Sequence, residues 1–350
     1  MKPNLSSKAK RTCYILVRFV LVIFTIGVFL AQIGLLLVLH YAYLPVSTDV
    51  NSVDKIITIK PGMSGKAIAQ LLFDSGLIID VRVFNIMLRL TNTANRLQAG
   101  EYLLNPTLTT MEVIDKLRQG TTVTYRVVIP EGYNIQQIAK ALADQGLVDQ
   151  ERFITLATNA ELVYGDDVPL PIPISSLEGY LFPDTYRFVK GQGEESIIRQ
   201  MVARFIDYAL PQIDLSLLDN KYTLHEVITL ASIVEKEVMV DWERPLVAAV
   251  YLNRLSIGMR LQADPTVRYV MTEDRGRVLY RDLEIDSPYN TYRYDGLPPG
   301  PIASPGIRSI LAVLNPADVD YLYFVSKRDG THQFSRTFEE HVAARRMLGY

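Results

Sequence analysis

The longest feature of the hydropathy pattern is an almost unbroken apolar run over residues 19–43, enough for one helix to cross a bilayer. It opens with Val20-Leu21-Val22-Ile23-Phe24 and nears its end at Leu35-Leu36-Leu37-Val38-Leu39. Tyr41 and Tyr43 then suit a membrane interface. Lys2, Lys8, Lys10, Arg11 and Arg18 precede the run, and no Lys or Arg follows until Lys55. Cationic flanks stay on the cytoplasmic side. The pattern therefore predicts a single-pass anchor, with residues 1–18 as a cytoplasmic tail and the body outside. A cleaved signal peptide fits less well, because the run exceeds the usual signal core and no clear small-x-small site follows.

Residues 44–54 read as a polar linker, and a near-repeat at an offset of seventy positions follows. Ile57-Thr58-Ile59-Lys60-Pro61-Gly62 predicts a strand entering a turn, Ile68-Ala69-Gln70-Leu71-Leu72 a helix, and Gly76-Leu77-Ile78 its end. Val127-Val128-Ile129-Pro130-Glu131-Gly132, Ile138-Ala139-Lys140-Ala141-Leu142 and Gly146-Leu147-Val148 repeat that order. The pattern is a duplicated strand–turn–helix unit, with too few copies for a solenoid. Ala99–Leu104 predicts a strand and Met111–Leu117 a short helix, so residues 55–125 alternate strands with short helices. This unit resembles the small LysM-like modules that bind glycan strands, and a structural α/β spacer fits the same pattern.

Residues 126–350 form the second predicted unit. Leu177–Tyr186 is too punctuated by Gly and Pro for a long helix. Residues 194–210, 242–255 and 338–348 predict helices, and Asp264-Pro265-Thr266, Pro288–Tyr292 and Gly296–Pro301 irregular segments. Tyr321–Val325 predicts a buried strand that turns at Arg328-Asp329-Gly330 into a second strand around Gln333-Phe334. Residues 224–238 predict a helix with Val227, Leu230, Ala231, Val234 and Val238 on one face. At 100° per residue, Glu235 falls about 80° from the centre of that stripe, beside Ile228, Ala231 and Met239. A carboxyl against apolar neighbours loses hydration and holds its proton more tightly, as a general acid on a glycosidic bond requires. An ordinary charged helix shoulder gives the same pattern.

The length of 350 residues suggests about two folded units beyond the anchor, and 49% hydrophobic residues permit a sizeable core. A net charge of −2 argues against nucleic-acid binding. Cys13 is the only cysteine, so no intrachain disulfide can form. His225-Glu226-Val227-Ile228-Thr229 begins like a zinc-protease helix, but Thr229 stands where the second His belongs. The four histidines, His40, His225, His332 and His341, make a His-rich metal site a poor fit, so no metal or other cofactor is expected. There is no Gly-x-Ser-x-Gly elbow, and residues 61–67 lack P-loop spacing.

Carbohydrate chemistry survives this pruning. The body interleaves Tyr with Asn, Asp, Gln and Arg, and aromatic faces stack on sugars while amides and carboxylates bind hydroxyls. Two positions apart, Glu235 and Glu237 point to different sides of a helix and do not make the paired carboxylates of a conventional glycosidase. A single carboxyl acting with an attacking oxygen of the substrate itself fits better.

Several long motifs resemble those of the endolytic murein transglycosylases, the YceG-like family. They are Ala231-Ser232-Ile233-Val234-Glu235-Lys236-Glu237, the run from Asn253 through Gly258-Met259-Arg260-Leu261-Gln262 to Asp264-Pro265-Thr266-Val267, Tyr289-Asn290-Thr291-Tyr292, Gly296–Ile302 and Leu177–Tyr186. The resemblance implies an α+β protein. Behind the transmembrane helix come a small LysM-like α/β domain (55–125) and a larger mixed α+β catalytic domain (126–350). It implies cleavage of the MurNAc–GlcNAc β-1,4 bond within nascent strands, leaving 1,6-anhydro-MurNAc ends. Glu235 becomes the acid and then the base, taking the proton of the MurNAc 6-hydroxyl. Gln262, Asp264, Tyr289 and Asn290 become cleft residues. Glu178 either assists binding or holds its aromatic loop, the latter being favoured. Glu237 either orients neighbours or sits on a solvated helix face, and His332 either faces the cleft or is a hydrogen-bonded structural histidine, the latter being favoured for both. The expected setting is the cytoplasmic (inner) membrane with the body outside, on peptidoglycan strands, beside peptidoglycan synthases or division proteins. The rival readings are a non-catalytic, membrane-anchored glycan-binding scaffold and a hydrolase that uses water.

Overall fold

In the computed structural model of the protein, residues 7–49, 51–170, 175–219, 221–272 and 276–350 are described, with side chains from residue 18 onward. The apolar run lies in α1 (Ser7–Ala42), whose segment Arg18–Ala42 is long and apolar enough to cross a membrane. Its side chains are exposed from Arg18 to Leu37. The chain divides into one unit of Met1–Thr124 with Val189–Gly191, and another of Tyr125–Phe188 with Gln192–Tyr350.

The first unit continues with β1 (Lys55–Ile59), α2 (Gly65–Asp74), α3 (Val81–Leu90), β2 (Gly100–Leu104) and α4 (Thr110–Gln119). β1 and β2 pair antiparallel with Ile57 opposite Tyr102. Ile57, Ile59, Tyr102 and Leu104 alternate inward onto Ile68, Leu72, Phe84, Leu88, Val113 and Leu117. Ser64, Asp80 and Thr109 cap the three short helices by accepting backbone N–H bonds. The expected linker is stitched down rather than free. Val38, Leu39 and Ala42 pack into this core. Pro45 bridges to Thr109, the Ser47 N–H donates to the Pro106 carbonyl, and Asn105 donates to the Ser52 carbonyl.

The second unit contains β3 (Thr124–Val128), α5 (Ile135–Ala143), α6 (Gln150–Ala157), α7 (Ala160–Tyr164), β4 (Thr185–Val189) and α8 (Glu194–Arg204), which runs on through a π turn over Phe205–Ala209. Next come α9 (Leu224–Glu237), α10 (Arg244–Ser256), α11 (Asp264–Val270), α12 (Ile307–Leu314), β5 (Tyr323–Ser326), β6 (His332–Ser335) and α13 (Phe338–Met347). β3 pairs with β4, and β5 with β6 as an antiparallel hairpin that sets Ser326 opposite His332.

α9 is the core helix of this unit. Thr223 and Glu226 close a capping box at its start. Val227 through Val234 are buried without interruption, a wider surface than the single stripe predicted, because α10, α11 and α12 all pack on it. Two expectations change. The Asp264-Pro265-Thr266 segment is the first turn of α11 rather than irregular chain, with Pro265 in a position where its missing N–H costs nothing. The strand expected at Tyr321–Val325 lies at Tyr323–Ser326 and is half-buried. The near-repeat is visible in the backbone: Gly62 and Gly132 turn at φ +78° and +77°, and Gly76 and Gly146 at +63° and +66°.

Candidate active site

Glu235 lies in the last turn of α9, and its surroundings are polar. Its side chain is 6% exposed, as is 8% of its partner Arg244, the first residue of α10. Oε1 accepts from Arg244 Nη1 at 3.1 Å, and Oε2 accepts from the Gly306 N–H at 3.0 Å and from Ser309 Oγ at 2.8 Å. Gly306 is the N-cap of α12, so the carboxylate also sits where a helix dipole favours negative charge. Arg244 is in turn held by Asp241, which also binds Arg308, and Arg308 faces Glu131. The expected apolar setting of Glu235 is therefore replaced by a saturated ion-pair network. An isolated helix pattern hides this, because Arg244, Gly306 and Ser309 come from other elements.

Glu237, the last residue of α9, has the opposite environment. No hydrogen bond reaches its carboxyl among the described residues, and it is only partly exposed. Burial raises its pKa to about 7, with a further rise from the negative Asp264 and a smaller opposing effect of Arg254. It lines a cavity of about 450 Å³ with Lys236, Asp264, Arg268, Arg277 and His332. A carboxyl that keeps its proton near neutral pH, at an open polar cavity, has the chemistry of a general acid.

Of the other expected residues, Asp264, Tyr289 and Glu178 line cavities, and Gln262 and Asn290 do not. Asp264 is exposed beside Glu237 and accepts from Tyr292 Oη at 2.6 Å. Tyr289 and Glu178 line a separate space of about 280 Å³ with Ser175, Ser176 and His225. Burial lifts Glu178 to about 7, against the opposing hydrogen bonds from the Ile135 N–H and Tyr269 Oη. Tyr269 packs on Tyr289 with ring centroids 5.0 Å apart. Tyr269 also lines a smaller hollow that shares Lys236, Pro265 and Arg268 with the Glu237 cavity. Gln262 is exposed at a left-handed turn, φ +50°. Asn290 does not reach a cleft. It is fully buried, donates to the Leu283 and Ile285 carbonyls and accepts from the Tyr292 N–H, so its amide holds the loop. His332 is hydrogen-bonded, as expected, to the buried Glu243.

The YceG-like family model matches residues 57–347. This chain belongs to the YceG-like family. It is 37% identical over 306 residues to an endolytic murein transglycosylase of Bacillus subtilis, covering 83% of each chain. It is 31% identical over 323 residues to an endolytic murein transglycosylase of Streptococcus pneumoniae, covering 84% of this chain and 58% of that longer one. A crystal structure of a YceG-like protein from Listeria monocytogenes superposes with a TM-score of 0.56 at 36% identity, over 84% of this chain and all of the other. In this YceG-like chain Glu237, expected on a solvated helix face, is drawn into the fold by the elements around it, and Arg244 and Glu243 carry no signal of their own in the sequence. Their roles rest on neighbours far along the chain, and only the odd density of charge in Asp241-Trp242-Glu243-Arg244, just after the helix, marks the place.

Proposed function

We propose that this chain is a membrane-anchored endolytic murein transglycosylase that cleaves the MurNAc–GlcNAc β-1,4 bond within peptidoglycan strands and leaves 1,6-anhydro-MurNAc ends. The observation that carries the reading is the place of Glu237, a carboxyl without a hydrogen-bond partner among the described residues, at the cavity it shares with Asp264 and His332, where burial raises its pKa. Glu237 protonates the leaving O4 of GlcNAc, and the C6 hydroxyl of the same MurNAc attacks C1. Because the nucleophile belongs to the substrate, proximity replaces the second carboxylate that would otherwise activate water. The acid role read at Glu235 moves two residues on, since three donors already occupy that carboxylate. Glu235 then fixes the end of the helix that carries Glu237. Asp264 tunes the acid, Tyr289, Gln262 and Glu178 belong to the glycan path, and Asn290 shapes its wall.

In the same reading, residues 55–125 are a LysM-like strand-binding domain and residues 126–350 the catalytic domain. Residues 19–43 anchor the chain with its N-terminus inside, which sets the body beside peptidoglycan synthases or division proteins. The names of the relatives and the basic flank before α1 support this placement.

The test is cleavage of uncrosslinked glycan strands by the full-length protein in detergent, with products read by mass spectrometry. Glu237→Gln should stay folded and lose about a hundredfold or more of the activity that yields anhydro ends. Glu235→Gln should keep measurable cleavage per folded molecule. The reverse pattern would return the acid role to Glu235. Hydrated reducing ends would indicate the hydrolase, and equal strand binding without cleavage by wild type and Glu237→Gln the scaffold.

A further inference from the structure

Glu243 is fully buried, in the turn that leads into α10, and nothing in the proposed acid step uses it. Both of its oxygens are taken by one residue. Oε1 accepts the backbone N–H of His332 at 2.8 Å, and Oε2 lies 2.7 Å from His332 Nδ1. A carboxylate only accepts, so Nδ1 carries a hydrogen, and the ring in its neutral form presents a lone pair at Nε2. Phe324 and Phe334 pack against the ring, with centroids at 5.2 and 6.3 Å, and hold its orientation. Nε2 has no partner among the described residues, and His332 lines the same cavity as Glu237. A histidine needed only to satisfy Glu243 would not have to border that space.

We propose that Glu243 and His332 form a dyad that fixes the imidazole tautomer, and that His332 Nε2 takes the proton of the attacking sugar hydroxyl. The proposal rests on the reading of Glu237 as the acid. The C1–O4 bond breaks with its electron pair on O4, which receives the Glu237 proton. O6 gives its pair to C1 and its proton to Nε2. Bulk water then returns one proton from the imidazolium to the Glu237 carboxylate, so the cycle closes without a co-reactant. The titratable and charged groups around the ring are Glu243, bonded to it, and those that line the same cavity: Lys236 and Glu237 from α9, Asp264 and Arg268 from α11, and Arg277.

The experiment measures kcat and KM against pH for full-length wild type, His332→Gln, His332→Gly and Glu237→Gln on uncrosslinked strands, with thermal melts as the folding control. His332→Gln should lose about a hundredfold or more in kcat with little change in KM, and should lose the acid-side fall in rate that comes from protonating the imidazole. Added imidazole should restore part of the activity of His332→Gly. A folded His332→Gln with wild-type kcat and the acid-side fall intact would overturn the dyad, as would a loss confined to KM or to melting temperature. If the variants fail to fold, nitrogen NMR of histidine-labelled wild type decides: a protonated Nε2 overturns the proposal, and a bare Nε2 with protonated Nδ1 supports it. The two readings fail separately. An inactive Glu237→Gln beside a fully active His332→Gln removes only the dyad. An active Glu237→Gln beside an inactive His332→Gln removes only the acid assignment.

Discussion

Glu178 is 4% exposed, and burial holds its pKa at about 7 instead of the usual 4.5. In that interval the folded chain keeps a proton that the unfolded chain has released. Stability from this group is therefore full below about pH 4.5 and falls as pH rises towards 7. The loss amounts to roughly 3 kcal/mol at its upper bound. Glu178→Gln keeps an acceptor for the Ile135 N–H and cannot ionise. Its melting temperature should gain on wild type progressively from pH 4.5 to 7 and then run parallel. A difference that does not change with pH would show that Glu178 exchanges no proton on folding.

At the scale of elements, one ion pair joins three helices. Arg244 begins α10, Glu235 ends its last full turn in α9, and Gly306 and Ser309 open α12. Removing the arginine strands a buried carboxylate, which costs about 3–5 kcal/mol. Removing the charge of Glu235 costs less, about 1–3 kcal/mol, because Arg244 retains Asp241 and Ser309. Denaturant melts should thus rank Arg244→Ala below Glu235→Gln, and the double variant should be more stable than Arg244→Ala alone. Additive losses would mean that the pair contributes no coupling. Elements of this kind also mark where the sequence could be read. α1, α9 and the β5–β6 hairpin follow from local periodicity and turn residues. α3 and α12 pass unnoticed because their apolar positions are short and neighbour other apolar chain. In the proposed reading the acid is Glu237, two residues beyond the glutamate that the motif points to. Its environment is set by Asp264, Arg254 and His332, which the sequence keeps far away.

For the whole molecule, α1 is the only described helix with the length and apolar character to span a bilayer. Under the anchor reading, the full chain should sediment with membranes, resist alkaline carbonate and leave them only in detergent. A version lacking residues 1–43 should lose that behaviour whatever its fold. Release of the full chain by carbonate would argue against a spanning helix. The close of α1 has a mechanical meaning. Residues 38, 39 and 42 are part of the first unit's core, and Pro45 and Ser47 are pinned to the loop around residues 106–109. A helix of 25 residues rises about 37 Å, little more than the hydrocarbon it would cross. The first unit is then carried as a flag on a mast rather than a boat on a mooring line. Under the anchor reading its height and tilt above the lipid are inherited from the helix, so whatever the first unit binds must lie within a fixed band next to the bilayer.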